Sequence, residues 1–151
     1  MGLKIGSFRI HYDPVTGESG PQISLLNKTD GATTKGYLVR FSATSALSFD
    51  YCAVDEPDII GVIYEAGIAD GSACWVWLEN ALAQVYFVGS VTLAEFARNR
   101  LTADGVGSTG QAISEAAPTA PFATDKHWLE IGHVAQATGG AGLCLTLLHF
   151  N

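Results

Sequence analysis

The sequence predicts an all-β protein, built as a small barrel or sandwich with one short helix and an extended N-terminal arm. Three observations predict it. Short runs of aromatic and β-branched residues recur along the chain, glycines and prolines separate those runs, and one hairpin pattern occurs twice. The 17 glycines and five prolines among 151 residues supply turns for many short strands.

The repeated pattern covers residues 60–78 and 131–148. Each copy opens with Ile-Gly, reverses in a glycine-rich turn and carries a cysteine, Cys74 or Cys144, in its second apolar run. Two segments of period 2 around such a reversal indicate a β-hairpin. We therefore predict two structurally related hairpins. Because few aligned positions are identical, a chance likeness between two hairpins is the alternative.

The first 34 residues are predicted to form the arm, and residues 35–151 the β-rich domain. Pro14, Gly17 and Gly20 interrupt the arm, and the Asp13–Gly17 segment has the residues of a turn. Short strands are expected within it at residues 3–10 and 22–26.

Strands are expected at regular intervals through the domain. They are predicted at residues 37–42, 49–54, 59–65, 74–78, 83–88, 111–114, 129–136 and 143–150. The single helix is predicted at residues 91–98, where Leu93, Phe96 and Ala97 would share one helical face.

The strand that contains Cys74 is apolar on both faces. Alternation places Trp75 and Trp77 on one face and Cys74 and Val76 on the other. A half-exposed strand would alternate with polar residues. The tryptophan face therefore belongs either to a contact between subunits, where tryptophan is enriched, or to the internal core.

Composition excludes several classes of protein. The formal net charge is −7, and residues 41–151 alone carry twelve acidic and three basic side chains, which disfavours nucleic-acid binding. No uninterrupted apolar run of 18 residues occurs, so no membrane span is expected. An apolar fraction of 48% with only 15% charged residues favours an oligomer.

No motif predicts an enzyme, a cofactor or a metal. His127 and His133 lack the spacing of helical zinc ligands, although His149 makes a three-histidine site conceivable. Cys52, Cys74 and Cys144 lie in or beside apolar runs, which favours inert buried thiols over a nucleophile or a Cys74–Cys144 disulfide. The segment of residues 55–58, Asp-Glu-Pro-Asp, is typical of an acidic turn, and the glycines of residues 105–110 lack the lysine of a phosphate-binding loop.

The order of several motifs resembles the capsid decoration (cement) proteins of tailed bacteriophages. The motifs span residues 27–151 and are listed in chain order: residues 27–29, Asn-Lys-Thr; residues 60–64 and 67–71; residues 85–87, Val-Tyr-Phe; residues 101–104; residues 127–133, His-Trp-Leu-Glu-Ile-Gly-His; and residues 148–151, Leu-His-Phe-Asn. The resemblance implies a β-tulip-like fold and a homotrimer that is made in the host cytoplasm. It further implies attachment to the major capsid protein on the capsid exterior, with an N-terminal arm that reaches along the shell.

On this interpretation two sets of residues make the contacts. Capsid contact is assigned to the arm, and subunit contact to aromatic and histidine side chains of the domain. The sets are Lys4, Phe8, Arg9 and Tyr12 for the capsid, and Trp75, Trp77, Tyr86 and His149 for the subunit interface.

The sequence is also compatible with two other functions. A tail or fibre module would recognise carbohydrate with exposed Trp75, Trp77 and Trp128. A small hydrolase would pair Cys74 or Cys144 with His133.

Overall fold

A computed structural model describes residues 3–53, 58–93, 96–98, 110–115 and 130–150. Throughout these residues the protein is all-β, with most strand pairs antiparallel and no helix, which confirms the all-β class that the sequence predicts. The described strands are β1 (Phe8–Tyr12), β2 (Ser19–Asn27), β3 (Leu38–Phe41), β4 (Ser48–Tyr51), β5 (Gly61–Ile63), β6 (Ala73–Trp77), β7 (Leu82–Phe87), β8 (Phe96–Arg98), β9 (Ile113–Glu115), β10 (Glu130–Val134) and β11 (Gly142–Leu148).

The predicted helix at residues 91–98 is wrong for Phe96–Arg98, which forms strand β8 between β9 and β10. The helical pattern placed Leu93 and Ala97 on one buried face, but Leu93 is exposed and Ala97 is fully buried. Pairing with two neighbouring strands outweighs a weak local preference for helix. Residues 94 and 95, also within the predicted helix, lie outside the described part.

The predicted arm is wrong beyond its first strand. Strand β2 is the most connected strand of the described sheet, because it pairs with β1, β4, β6 and β7. Its side chains Leu25, Ser24 and Asn27 are fully buried, as are those of a core strand. A boundary at residue 34 therefore does not separate an arm from the domain. Of the described strands within the predicted arm, only β1 lies at an edge of the sheet.

The order of the strands in the sheet shows an internal symmetry. From one end it runs β4-β3-β5-β6-β2 and then β7-β11-β10-β8-β9. If β2 to β6 are matched in turn with β7 to β11, the second half of the path is the first half reversed. Apart from β1, the described sheet therefore consists of two equivalent halves, β2–β6 and β7–β11, which are joined at the β2–β7 contact between Ser19 and Leu82.

The register within the halves agrees residue by residue. Cys74 lies opposite Leu25 in the first half, and Cys144 lies opposite Val85 in the second. The amide of Leu78 donates to Pro21 in one half, and that of Leu148 donates to Ala81 in the other. The two predicted hairpins are confirmed as related units, and the duplication extends beyond them to five strands each.

Each half closes a ring of strand pairings. In the first half β4 returns to pair with β2 in parallel, where Asn27 meets Phe49. In the second half a parallel bridge joins Phe87 to Ala112 at the equivalent place. The strands of the first ring contribute a separate apolar cluster, which consists of Leu25, Val39, Phe49, Ile63, Cys74 and Val76. The matching positions of the second ring are also fully buried or nearly so: Val85, Ala97, Ala112, Val134, Cys144 and Thr146.

The outer faces of the two halves differ in burial. Val62 and Trp77, which lie opposite each other on β5 and β6, are fully buried in a cluster shared with the second half. Their equivalents on β10 and β11 are His133 and Leu147, which face solvent. The first half therefore has its outer face covered within the chain, whereas the second half presents that face at the surface.

Candidate functional site

Strand β1 carries a row of exposed apolar side chains, which we call the β1 stripe: Phe8, Ile10 and Tyr12. Their exposed fractions are 62%, 73% and 63%. They share one face because side chains alternate along a strand, and β1 pairs with β2 alone among the described strands. Exposed apolar patches on an edge strand are uncommon in isolated proteins, since such edges invite association.

The opposite face of β1 is turned toward the protein. Arg9 donates to Oε1 of Gln22 at 2.7 Å and lies 4.0 Å from the ring centroid of Trp75. Ser24 donates to the carbonyl of Lys4, so the backbone before β1 is also fastened to β2. Of the four predicted capsid contacts, the structure leaves Lys4, Phe8 and Tyr12 exposed, whereas Arg9 is committed to intramolecular contacts.

The residues predicted for the subunit interface do not form one surface. Trp77 is fully buried, so its assignment to an interface is wrong and the internal alternative holds. Trp75 is half-buried beneath Arg9, and Tyr86 packs on Tyr37 with ring centroids 5.5 Å apart. His149 is partly exposed and lies beside His133 and Glu130.

A polar network joins the β1–β2 turn to the first hairpin and to β7. Glu18, fully buried, accepts from Nζ of Lys35 at 2.6 Å and from the amide of Gln84 at 3.0 Å. Tyr64 donates to Oδ2 of Asp13 at 2.7 Å. That hydrogen bond lowers the pKa of Asp13, while burial raises the pKa of Tyr64 to about 12. The network fastens parts of the fold together and leaves the Tyr64 hydroxyl protonated at neutral pH.

The cysteines are placed as inert core residues. All three are buried free thiols, and the disfavoured alternative, a Cys74–Cys144 disulfide, is not formed because the two residues lie in different apolar clusters. Burial raises the pKa of Cys74 to about 12 and raises that of Cys144. Sγ of Cys144 donates to the carbonyl of Gln136 at 2.7 Å, whereas Nε2 of His133 contacts His149 and Glu130. The predicted Cys–His pair is therefore not assembled at His133.

Three side chains that the sequence did not bring together meet on the second hairpin. We call Glu130, His133 and His149 the histidine cluster. Nε2 of His149 lies 2.9 Å from Nε2 of His133 and 3.0 Å from Oε1 of Glu130, and His133 lies 3.5 Å from the same oxygen. The three-histidine site considered from the sequence consists of His127, His133 and His149, so two of its residues belong to this cluster. His127 lies outside the described part. The missing signal was the register of β10 against β11.

A surface pocket lies between the β3–β4 hairpin and the segment before β5. Its lining residues are Arg40, Phe41, Ala43, Asp58, Ile59 and Ile60. Residues 54–57, which contain most of the predicted acidic turn, border this region of the chain and lie outside the described part. The lining combines two charged side chains, Arg40 and Asp58, with apolar ones.

Comparisons with known proteins identify no relative of this chain. No known protein family, curated protein or solved structure matches this chain. Across the described residues, no helix has the length and hydropathy that a membrane crossing needs. Two surface features of the described residues are therefore candidate binding sites, the β1 stripe and the histidine cluster.

Proposed function

We propose that this chain is a structural virion protein that binds the outer surface of a phage capsid and stabilises the lattice of the major capsid protein. The observation that carries the proposal is the β1 stripe. Three large apolar side chains stand in solvent on an edge strand while the rest of that strand is fastened inward. A surface of this kind is stabilised by a partner.

Several features support this role alongside the stripe. The motif order resembles decoration proteins, and the β1 stripe occupies the N-terminal part of the chain to which capsid contact was assigned. The two ring-forming halves share a buried cluster, which suits a rigid module that resists load. As part of the same proposal, each ring of five strands is a small β-barrel. The protein is made in the host cytoplasm, and its subunits assemble as homotrimers on the capsid exterior.

Binding through the β1 stripe is testable with heads of the phage that encodes this chain. Purified chain is mixed with heads that lack it, and the bound fraction is measured by co-sedimentation. A variant with Phe8→Ser, Ile10→Ser and Tyr12→Ser is expected to lose at least about 100-fold in affinity, since each buried apolar side chain contributes roughly 1.5–3 kcal/mol. Val15→Ser, exposed and apolar in the same hairpin, is the matched control and is expected to bind normally.

Either of two results would overturn the proposal: wild-type chain that stays free of heads, or a triple variant that binds as tightly as wild type. Location of the chain in a density map of the intact virion is an independent check, in which density on the tail counts against it. Light scattering tests the trimer, because a solution mass equal to one chain at micromolar concentration contradicts that assembly.

The carbohydrate-binding alternative receives no support from the described tryptophans. Trp77 is fully buried and Trp75 lies beneath Arg9, so neither offers an open ring face for stacking on a sugar. Trp128 lies outside the described residues. We therefore advance the capsid-binding function alone.

A further inference from the structure

We propose that Glu130, His133 and His149 bind one divalent transition-metal ion, with Zn²⁺ as the best-matched ion, on the outer face of the second hairpin. Metal binding at this site requires only the geometry of the three side chains and is independent of capsid attachment. The site lies on the outer face of the second half, which is exposed to solvent.

Strand register brings the two histidines together. His133 on β10 lies opposite Leu147 on β11, and His149 lies two residues beyond Leu147 on the same face. The amide of His149 donates to the carbonyl of Ile131, which fixes the end of β11 against β10. Diagonal neighbours on an antiparallel pair are within reach of long side chains. The rings accordingly meet with centroids 4.7 Å apart.

A β-bulge brings in the carboxylate. Glu130 precedes His133 by three residues, and regular alternation would place the two side chains on opposite faces of β10. The register of β10 against β8 shifts between Glu130 and Gly132, and Gly132 has a φ of 155° that side-chain-bearing residues rarely adopt. Bulges redirect side chains in this manner. Here the bulge turns Oε1 of Glu130 toward both imidazoles.

The ligand atoms match the size of a zinc ion. They are separated by 2.9, 3.0 and 3.5 Å. A point about 2.05 Å from all three, the usual Zn–N and Zn–O distance, lies about 0.9 Å out of their plane, whereas an ideal tetrahedral ion lies about 0.7 Å out of it. Two histidines and one glutamate form a donor set that zinc uses when one coordination position stays open.

Hydrogen bonding alone satisfies this arrangement poorly. Each Nε2 carries at most one proton, so two protons at most serve three close contacts. If both imidazoles are protonated, two N–H groups face each other at 2.9 Å. One ion accepts a lone pair from all three atoms and is partly neutralised by the carboxylate. Imidazole and carboxylate together favour Zn²⁺, Co²⁺ or Ni²⁺ over the oxygen-seeking Ca²⁺ and Mg²⁺.

The site is accessible from solvent without unfolding. The side chain of His133 is 63% exposed, that of His149 is 31% exposed and that of Glu130 is 10% exposed. The equivalent of His133 in the first half is Val62, which is buried against the second half. Metal binding is thus a property of the second half alone. The ion would tie β10 to the residue that follows β11.

The test uses the full chain, stripped of metal with a chelator and then titrated with Zn²⁺ and with Co²⁺. We expect one ion per chain and a Co²⁺ absorption spectrum of a four-coordinate site without sulfur-to-metal bands, because the cysteines are buried elsewhere. Saturating Zn²⁺ is expected to raise the melting temperature by roughly 5 °C or more.

Variants decide which residues hold the ion. His133→Gln and His149→Gln are each expected to weaken Zn²⁺ binding at least about 100-fold, since even residues behind the ligands cost 10–100-fold. His11→Gln, which removes an imidazole on β1, is the matched control and is expected to keep full affinity. If His149→Gln fails to fold, the exposed His133→Gln still decides the result.

The proposal is overturned if the wild-type chain binds no Zn²⁺ or Co²⁺ at millimolar concentration. It is equally overturned if affinity survives in His133→Gln, or if Co²⁺ spectra report thiolate ligands. Because the measured quantity is metal binding in solution, the metal site is tested separately from capsid attachment.

Discussion

Gly61 and Gly132 occupy equivalent positions in the two halves, and each lies against the carbonyl oxygen of an equivalent residue on the partner strand. A Cβ at Gly61 would overlap with the oxygen of Trp77, and a Cβ at Gly132 would overlap with that of Leu147. The Ile-Gly pair that opens each hairpin is therefore a packing requirement. It allows one strand to pass close to its neighbour's backbone.

Gly61→Ala and Gly132→Ala are each expected to destabilise the protein by about 1–3 kcal/mol or more, because backbone must move to admit a methyl group. Urea unfolding measures the loss. Gly139→Ala is the control, since nothing lies within 4 Å of its added methyl, and its effect is expected to stay within about 0.5 kcal/mol. Equal stability of Gly61→Ala and Gly139→Ala would contradict the close approach.

Lys35→Met is expected to cost about 3–5 kcal/mol, because it leaves the fully buried carboxylate of Glu18 without its cation. Denaturant unfolding gives the value, and Lys4→Met, at an exposed lysine, is the control expected to be near neutral. The double variant Glu18→Gln with Lys35→Met is expected to recover much of the loss. If the double variant is no more stable than Lys35→Met alone, the pair is not coupled as described.

Alkaline pH is expected to destabilise the fold through Cys74. Burial raises the pKa of this thiol to about 12, above its unfolded value near 9. The stabilising difference is present below pH 9 and disappears as pH rises through 12, so the free energy of unfolding falls by up to about 1.4 kcal/mol per pH unit in between. Urea unfolding from pH 8 to pH 11 measures the slope. Cys74→Ala should reduce the slope, whereas Val76→Ala, in the same cluster, should lower stability without changing it.

Arg9→Ala is expected to loosen β1, because it removes the hydrogen bond to Gln22 and the contact with the Trp75 ring. The loss is expected to be about 1–3 kcal/mol for opening this strand. Hydrogen exchange of the β1 amides reports it. Phe8→Ser, on the solvent face of the same strand, should leave those exchange rates unchanged, and matching rates in the two variants would argue against the inward role of Arg9.

Deletion of residues 1–26 is expected to abolish cooperative folding, because it removes nearly all of β2 and exposes the neighbouring strands. Thermal unfolding followed by circular dichroism tests this. Deletion of residues 1–3 is the matched control, and it should melt as the full chain does. A cooperative melt after the longer deletion would mean that β2 is dispensable.

Local pattern sufficed for most strands and for the relation between the hairpins. Alternation and glycine turns are properties of neighbouring residues, so the strands around Cys74 and Cys144 were predictable, with related register. Strand β8 was not predictable from local pattern, because Leu93, Phe96 and Ala97 also fit a helical spacing. Breakers such as Pro14 and Gly17 made β1 and β2 look like an arm, although those residues form the turn of a hairpin.

The sequence by itself determined an all-β chain with a repeated hairpin, inert thiols and an apolar strand around Trp77. Only the tertiary structure decided that the duplication spans five strands per half, that Trp77 faces the second half, and that Glu130, His133 and His149 converge. The physical reason is the distance along the chain over which each interaction acts. Backbone preferences act over a few residues, whereas strand register, bulges and covered faces depend on partners far along the chain, whose pairing no local pattern specifies.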